Sequence, residues 1–409
     1  MQFLSDRVKN IVPSPTLQLD AKAKKMLSDG LDVINLSVGE PDIQTPLSGA
    51  NAAIKAINDG FTRYTEVGGI VALRRAVAEH ANAFLGLNYE PDQVVVSNGG
   101  KHSLYNIFAT LLNPGDEVII PSPYWVSYPE QVKLVGGIPV ICNTDESTAF
   151  KATPLMLKQL VSPRTRAIVL NSPSNPTGSV YTKKELEALS QFALEHDLYV
   201  ISDEIYDRLV FDEEGFHSIA TLNDAIRERT IIVNGWSKTY GMTGWRLGYT
   251  LSNKILAKTF REFQGHTTSN VCSIAQMAAI GALQADLAGL ADRFRERRDF
   301  MVRSLKEIEN IKTVTPGGAF YVFPNFSGFL GQYYGDQKID SVDTFCRIFL
   351  EDFNVSIVPG AGFGSPNNVR ISYAVNQERL SEAIERLRKF VGQLKPKAQS
   401  ATTAQEYLV

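Results

Sequence analysis

The stretch Leu198-Tyr199-Val200-Ile201-Ser202-Asp203-Glu204-Ile205-Tyr206 decides the architecture. An apolar, β-branched and aromatic run that closes on a carboxylate reads as a buried parallel strand carrying Asp203 at its C-terminal end. Working outward, similar short runs recur at 93–96, 117–120, 138–141, 167–170, 230–233 and 246–249, with amphipathic stretches between them. Such alternation predicts an α/β fold, a mostly parallel sheet with helices on both faces. It gives way at 286–308, where Leu287, Leu290, Ala291, Phe294, Phe300, Met301 and Leu305 line one side of a charged segment. This is the pattern of a long amphipathic helix. Beyond it, strand-like 319–323 and 369–372 and helical patterns near 341–352 and 377–393 predict a smaller α+β domain. The expected division is a large domain over 46–290 and a small one over 291–395. Residues 396–409, rich in Ala, Gln, Ser and Thr, are expected to form a mobile tail.

A chain of 409 residues has ample length for one large core and a companion. Its formal net charge of −3, without blocks of like charge, argues against an electrostatic nucleic-acid or membrane surface. Cys142, Cys272 and Cys346 form no C-x-x-C pair, so reduced thiols in a cytoplasm are expected and a zinc or other metal site is not. The start, Met1 to Arg7, has no charged segment followed by an apolar one, and no apolar run approaches the length of a membrane span. A soluble cytoplasmic protein is the expectation.

Ligands of open α/β sheets sit at the carboxyl ends of the strands. A carboxylate there, such as Asp203, can keep a pyridine nitrogen protonated, although an Asp after a strand also serves as a helix N-cap. Asn171-Ser172-Pro173-Ser174-Asn175-Pro176-Thr177-Gly178 follows another strand, and its prolines stiffen the loop and fix the direction of Asn175. Ser237-Lys238-Thr239-Tyr240-Gly241-Met242-Thr243-Gly244-Trp245-Arg246 sets an amine eight residues before a guanidinium in a glycine-broken turn. That is the layout of a pyridoxal-phosphate Schiff-base site: an amine attacks an aldehyde only when uncharged, and burial or nearby cations favour that form. In isolation Lys238 would read as a surface lysine. Asn98-Gly99-Gly100-Lys101-His102-Ser103 opens a helix after a strand, an arrangement that binds anions on free backbone N–H groups. It is not a nucleotide P-loop, because Val95 occupies the position of the first glycine. Arg370, in strand-like Val-Arg-Ile-Ser, has a planar fork suited to a carboxylate, with a structural salt bridge as the alternative.

Taken in order and at these separations, the three motifs resemble the class I/II aminotransferases of fold type I, and in particular the bacterial aspartate aminotransferase subgroup. The likeness runs from about residue 4 to about 393 and includes 36–42, 121–128 and 369–373. It implies pyridoxal 5′-phosphate as cofactor and Lys238 as its attachment point and later the carrier of a proton. It implies Asp203 at the ring nitrogen, Asn175 and Tyr206 at the 3-oxygen, and Trp125 stacked on the ring. The phosphate would meet the Gly100 and Lys101 backbone, Ser237, Arg246, and Tyr64 from a neighbouring subunit, so that a homodimer shares its sites. Arg370 and the Gly39 N–H would bind the substrate α-carboxylate, with Trp125 and Asn175 beside it. The resemblance also implies that residues 1–45 pack with the small domain. The expected reaction is ping-pong amino transfer from an L-amino acid, with aspartate first choice, to a 2-oxo acid, with 2-oxoglutarate first choice. An aromatic or alanine-type aminotransferase and a β-elimination lyase or decarboxylase on the same fold are the alternatives. A cofactor-sensing DNA-binding regulator would need a basic recognition helix that the chain lacks. Ser14, Thr16, Thr267, Thr268 and Asn270 are polar candidates for the distal group of the substrate. Val12 stands before Pro13-Ser14-Pro15-Thr16 where some relatives carry a basic residue, a departure that argues against prephenate.

Overall fold

All seven of the apolar runs between 93 and 251 pair into one sheet. In chain order the strands are β1 (Ile34–Asn35), β2 (Val94–Ser97), β3 (Glu117–Ser122), β4 (Ile138–Asn143), β5 (Thr165–Asn171), β6 (Tyr199–Asp203), β7 (Thr230–Gly235) and β8 (Gly248–Leu251). They are followed by β9 (Tyr321–Val322), β10 (Tyr333–Tyr334), β11 (Gln337–Lys338), β12 (Val355–Ser356), β13 (Val358–Pro359) and β14 (Val369–Ser372). This computed structural model describes residues 15–396 together with Ser5, Lys9, Ile11 and Pro13. Val12, Ser14 and, Pro396 aside, the expected tail lie outside the described residues.

The large sheet has the order β2-β8-β7-β6-β5-β3-β4. Pairs β3/β4, β3/β5, β5/β6 and β6/β7 are parallel, and β8 runs antiparallel to both β2 and β7. Side chains of a strand alternate between faces. Val118, Ile120, Val169, Ile201, Ile231 and Val233 accordingly enter one core with Leu104, Ile107 and Phe108 from the helix Gly100–Leu111. Ile119, Ile168, Leu170 and Val200 enter another with Leu186 and Leu189 from the helix Lys183–Glu195. Both faces are covered, which is why these strands read as continuous apolar runs.

A further core lies around the three-stranded sheet β13-β14-β9. The predicted long helix occupies Leu290–Lys306 and sends Phe294, Met301 and Leu305 into it, where they join Phe320, Phe326, Phe345 and Phe390. The N-terminal segment docks here as well: β1 pairs in parallel with β12, and Ala23 of the helix Pro15–Ser28 packs with Val33 and Leu350.

Two strand expectations need correction. Arg246 is not part of the strand expected at 246–249, which begins at Gly248. It ends the short turn Thr243–Trp245 with φ of 55° and donates from Nη1 to the Thr243 carbonyl at 2.8 Å, so the chain reverses there. Of 319–323 only Tyr321 and Val322 pair as strand, because Ala319, at φ 59°, bends the chain just before them.

Candidate active site

The topology brings the three motifs to one edge. Strands β5, β6 and β7 are parallel, and the register aligns Asn171 with Asp203 and Asp203 with Val233. Their carboxyl ends therefore deliver the Asn171–Gly178 loop, Asp203 and the Ser237-Lys238 turn side by side. Because β8 is antiparallel to β2 and β7, its start at Gly248 faces both Ser97 and Gly235. Arg246, just before β8, thus meets the beginning of the helix Gly100–Leu111, just after β2. A Cβ on Gly248 would fall 2.3 Å from the Gly100 nitrogen, so only glycine allows β8 to approach this helix start.

A cavity of about 350 Å³ opens at this edge, lined by Gly100, Lys101, Trp125, Asn175, Asp203, Tyr206, Ser237, Lys238 and Arg246 among the expected residues. Gly39 and Arg370 join through bonds to its walls. Lys238 Nζ donates to the Gly39 carbonyl at 2.6 Å, and Arg370 Nη1 donates to Asn175 Oδ1 at 2.9 Å. Asn175 is held from behind by its own N–H, which donates to Asn171 Oδ1 at 2.8 Å. The Lys101 ammonium stands 5.0 Å from the centre of the Trp125 ring. The lysine turn is tied to the N-terminal segment by a hydrogen bond from Thr243 to Glu40 and by Trp245 Nε1 donating to Thr45 at 2.9 Å.

Burial sets the electrostatics. The Lys238 ammonium is pushed down to about 8, first by desolvation and then by the Arg370 guanidinium. Burial raises the Asp203 carboxyl to about 6, against the Tyr128 hydroxyl that donates to its Oδ2 at 2.6 Å. Among the described residues Asp203 has no ion-pair partner, so its pocket suits a cationic nitrogen. Arg370 is 2 % exposed and lowered by burial, and its Nε has no hydrogen-bond partner among the described residues. Buried polar groups normally have partners. These features fit a flat ring with a cationic nitrogen at one end, an anionic group at the helix start at the other, and a carboxylate near Arg370.

Tyr64 is not brought into this cavity. It is 91 % exposed and lines a separate recess with Thr268 and Asn270. Thr267 donates to the Gln264 carbonyl at 3.2 Å, so none of these three polar candidates reaches the cavity within one chain. Thr16 opens the helix Pro15–Ser28, and its hydroxyl is buried with no partner among the described residues. Sequence reasoning missed Tyr128 as the partner of Asp203, although it falls three residues after Trp125. It also missed Tyr321, whose hydroxyl lies 2.9 Å from that of Tyr206. No spacing in the sequence links positions so far apart.

Fold and cavity together define an α/β protein of the fold type I kind with a candidate site at the strand ends. The model of the family "Aminotransferase class I and II" matches residues 31–387. The chain is 46% identical over 391 residues to the aspartate aminotransferase of Bacillus subtilis (strain 168), covering 95% of this chain and 98% of that one. It is 45% identical over 395 residues to the aspartate/prephenate aminotransferase of Cereibacter sphaeroides, covering 95% and 99%. The solved structure of Thermus thermophilus aspartate aminotransferase with maleate superposes with a TM-score of 0.89 at 38% identity, covering 95% of this chain and all of that one. This chain belongs to the class I and II aminotransferase family, and it is an aminotransferase.

Proposed function

We propose that the enzyme moves the amino group of aspartate to 2-oxoglutarate, using pyridoxal 5′-phosphate held in the cavity at the strand ends. The observation that carries this reading is the convergence of a desolvated Lys238, a buried Asp203 with no ion-pair partner among the described residues and a buried Arg370 on one cavity. When bound, pyridoxal phosphate supplies an electron-withdrawing ring that stabilises negative charge on the carbon bearing the amino group.

This chain's residues do the rest. Lys238 is the attachment point, and its freed Nζ takes the proton from the substrate Cα, a role that requires the amine to be uncharged. Asp203 pairs with the ring nitrogen, held in line by Tyr128. Asn175 and Tyr206 donate to the 3-oxygen, and Trp125 covers the ring. Ser237, Arg246 and the N–H groups of Gly100 and Lys101 hold the phosphate at the helix start. Arg370 and the Gly39 N–H receive the α-carboxylate. Tyr64 completes the phosphate site of a partner subunit, a role suited to a tyrosine that lies off its own cavity. In the same reading the chain divides into a large unit over 46–290 and a small one over 291–395 that takes in 1–45, in keeping with a core around the small sheet distinct from those on the two faces of the large one.

The aspartate preference is supported by the name of the Bacillus subtilis relative and by maleate, a dicarboxylate, in the Thermus thermophilus structure. Two measurements test the reading. Borohydride reduction and peptide mapping are expected to mark Lys238 alone. A panel of amino donors with 2-oxoglutarate is expected to rank aspartate first. Phenylalanine, tyrosine or alanine ahead of aspartate by tenfold or more in kcat/KM would remove the aspartate assignment and leave the transaminase intact.

A further inference from the structure

Tyr321 touches three parts of the site at once. Its hydroxyl is 2.9 Å from that of Tyr206, and the two rings meet edge to face at 5.8 Å. The Arg370 guanidinium lies 4.7 Å from its ring centre. A Cβ on Gly39 would fall 2.2 Å from its hydroxyl oxygen, so the segment that receives the Lys238 ammonium runs directly over it. Tyr321 is itself fully buried, and β9 pairs with β14, the strand that carries Arg370.

We infer that Tyr321 is a positioning residue for amino transfer: its hydroxyl directs the Tyr206 proton toward the cofactor, and its ring fixes Arg370 for the substrate carboxylate. The inference rests on the function proposed above. A phenol has one proton to donate. If Tyr206 donates to the 3-oxygen, it can only accept from Tyr321, which must then be the donor of this pair. Burial holds both phenols well on the protonated side, so the chain from Tyr321 to Tyr206 persists across the working pH range. A hydroxyl that accepts a hydrogen bond also becomes a stronger donor. The ring acts separately. A guanidinium over an aromatic face is attracted to it without losing any N–H, so Nε, unpartnered among the described residues, and the N–H groups not used by Asn175 and the Ser37 carbonyl remain for a carboxylate.

The two parts of the side chain predict two different losses. Tyr321→Phe keeps the ring and removes the hydroxyl. Negative charge on the 3-oxygen is then less stabilised, and the midpoint of the pH-dependent change in the holoenzyme's visible spectrum should rise by about half to one pH unit. Its affinity for maleate, followed by tryptophan fluorescence, should stay within about twofold of the unsubstituted enzyme. Tyr321→Leu removes the ring as well and should weaken maleate binding by about threefold to thirtyfold. A residue that only filled space would not separate the two readouts. An unmoved midpoint in a folded Tyr321→Phe holoenzyme, or equal loss of maleate affinity in both variants, overturns the inference while leaving the proposed function standing. An unsubstituted enzyme that carries no reducible cofactor on Lys238 overturns both.

Discussion

Burial of ionisable groups explains most of what this site can do. With its ammonium pushed down to about 8, Lys238 is neutral far more often near neutral pH than an ordinary lysine. Lys238→Ala should therefore abolish both transamination and the reducible label, as read by peptide mapping. Arg370→Lys keeps a charge but loses the fork, and should lower kcat/KM by a similar factor for every donor, corresponding to about 2–5 kcal/mol. Steady-state kinetics over the donor panel checks whether the loss is uniform. Glu204 provides a stability test that does not depend on catalysis. It is buried, its Oε1 accepts from Ser202 at 2.7 Å and Ser218 at 2.6 Å, and burial raises its carboxyl to about 8. The folded protein thus holds this proton more tightly than the unfolded chain does. Its contribution to stability is complete below the ordinary value of 4.5 and is lost as pH rises through about 8. Calorimetry of cofactor-free protein should find Glu204→Gln less sensitive to pH between about 5 and 8, and more stable than the unsubstituted chain at the upper end.

At the scale of elements, the site depends on where strands stop and how closely they approach. Register aligns Asp203 with Asn171 and Val233, so a slip of one residue in β6 would turn the carboxylate to the opposite face. The junction of β8 with the helix Gly100–Leu111 is equally strict. Gly248→Ala would set a Cβ 2.3 Å from one backbone atom and 2.4 Å from another. Overpacking of this kind costs about 1–3 kcal/mol. The variant should melt at a lower temperature and release cofactor faster, the second being measurable by dilution of the holoenzyme. A bidentate pair, Arg297 to Asp42 at 2.8 and 2.7 Å, ties the segment over the lysine turn to the helix Leu290–Lys306.

Across the whole molecule, one chain leaves its site open toward the outside. Arg246 is exposed, and Tyr64 lies in a separate recess with Thr268 and Asn270. Nearby, the helix Leu47–Asn58 exposes Leu47, Ile54 and Ile57 on one side, an apolar stripe of the sort that subunits cover. A homodimer with composite sites follows from the proposed role of Tyr64. Hybrids of Tyr64→Ala and Lys238→Ala subunits, each inactive alone, should recover activity through one intact site per hybrid dimer. An active monomer at working dilution would rule this out.

Much of this was legible from local pattern. Alternating apolar runs marked every strand of the large sheet, because strands covered on both faces tolerate little else. Lys238, Asp203, Asn175 and Arg246 lie in short motifs whose spacing reflects a turn or a strand end, so their grouping could be argued from the chain and from family resemblance. Contacts between distant segments were not legible. Tyr128 against Asp203, Tyr321 against Tyr206, and Gly39 against Tyr321 join residues 75, 115 and roughly 280 positions apart. Nothing local to either partner specifies such a contact, since it exists only once segments far apart in the chain have packed together; Tyr206 and Tyr321 meet within one core, and Tyr128 meets the end of β6 at the large sheet. The sequence by itself determined which strands form and which chemical groups they carry. Tertiary packing decided which groups lose water, which proton each phenol can share, and which expected partner, Tyr64 above all, faces away from its own cavity.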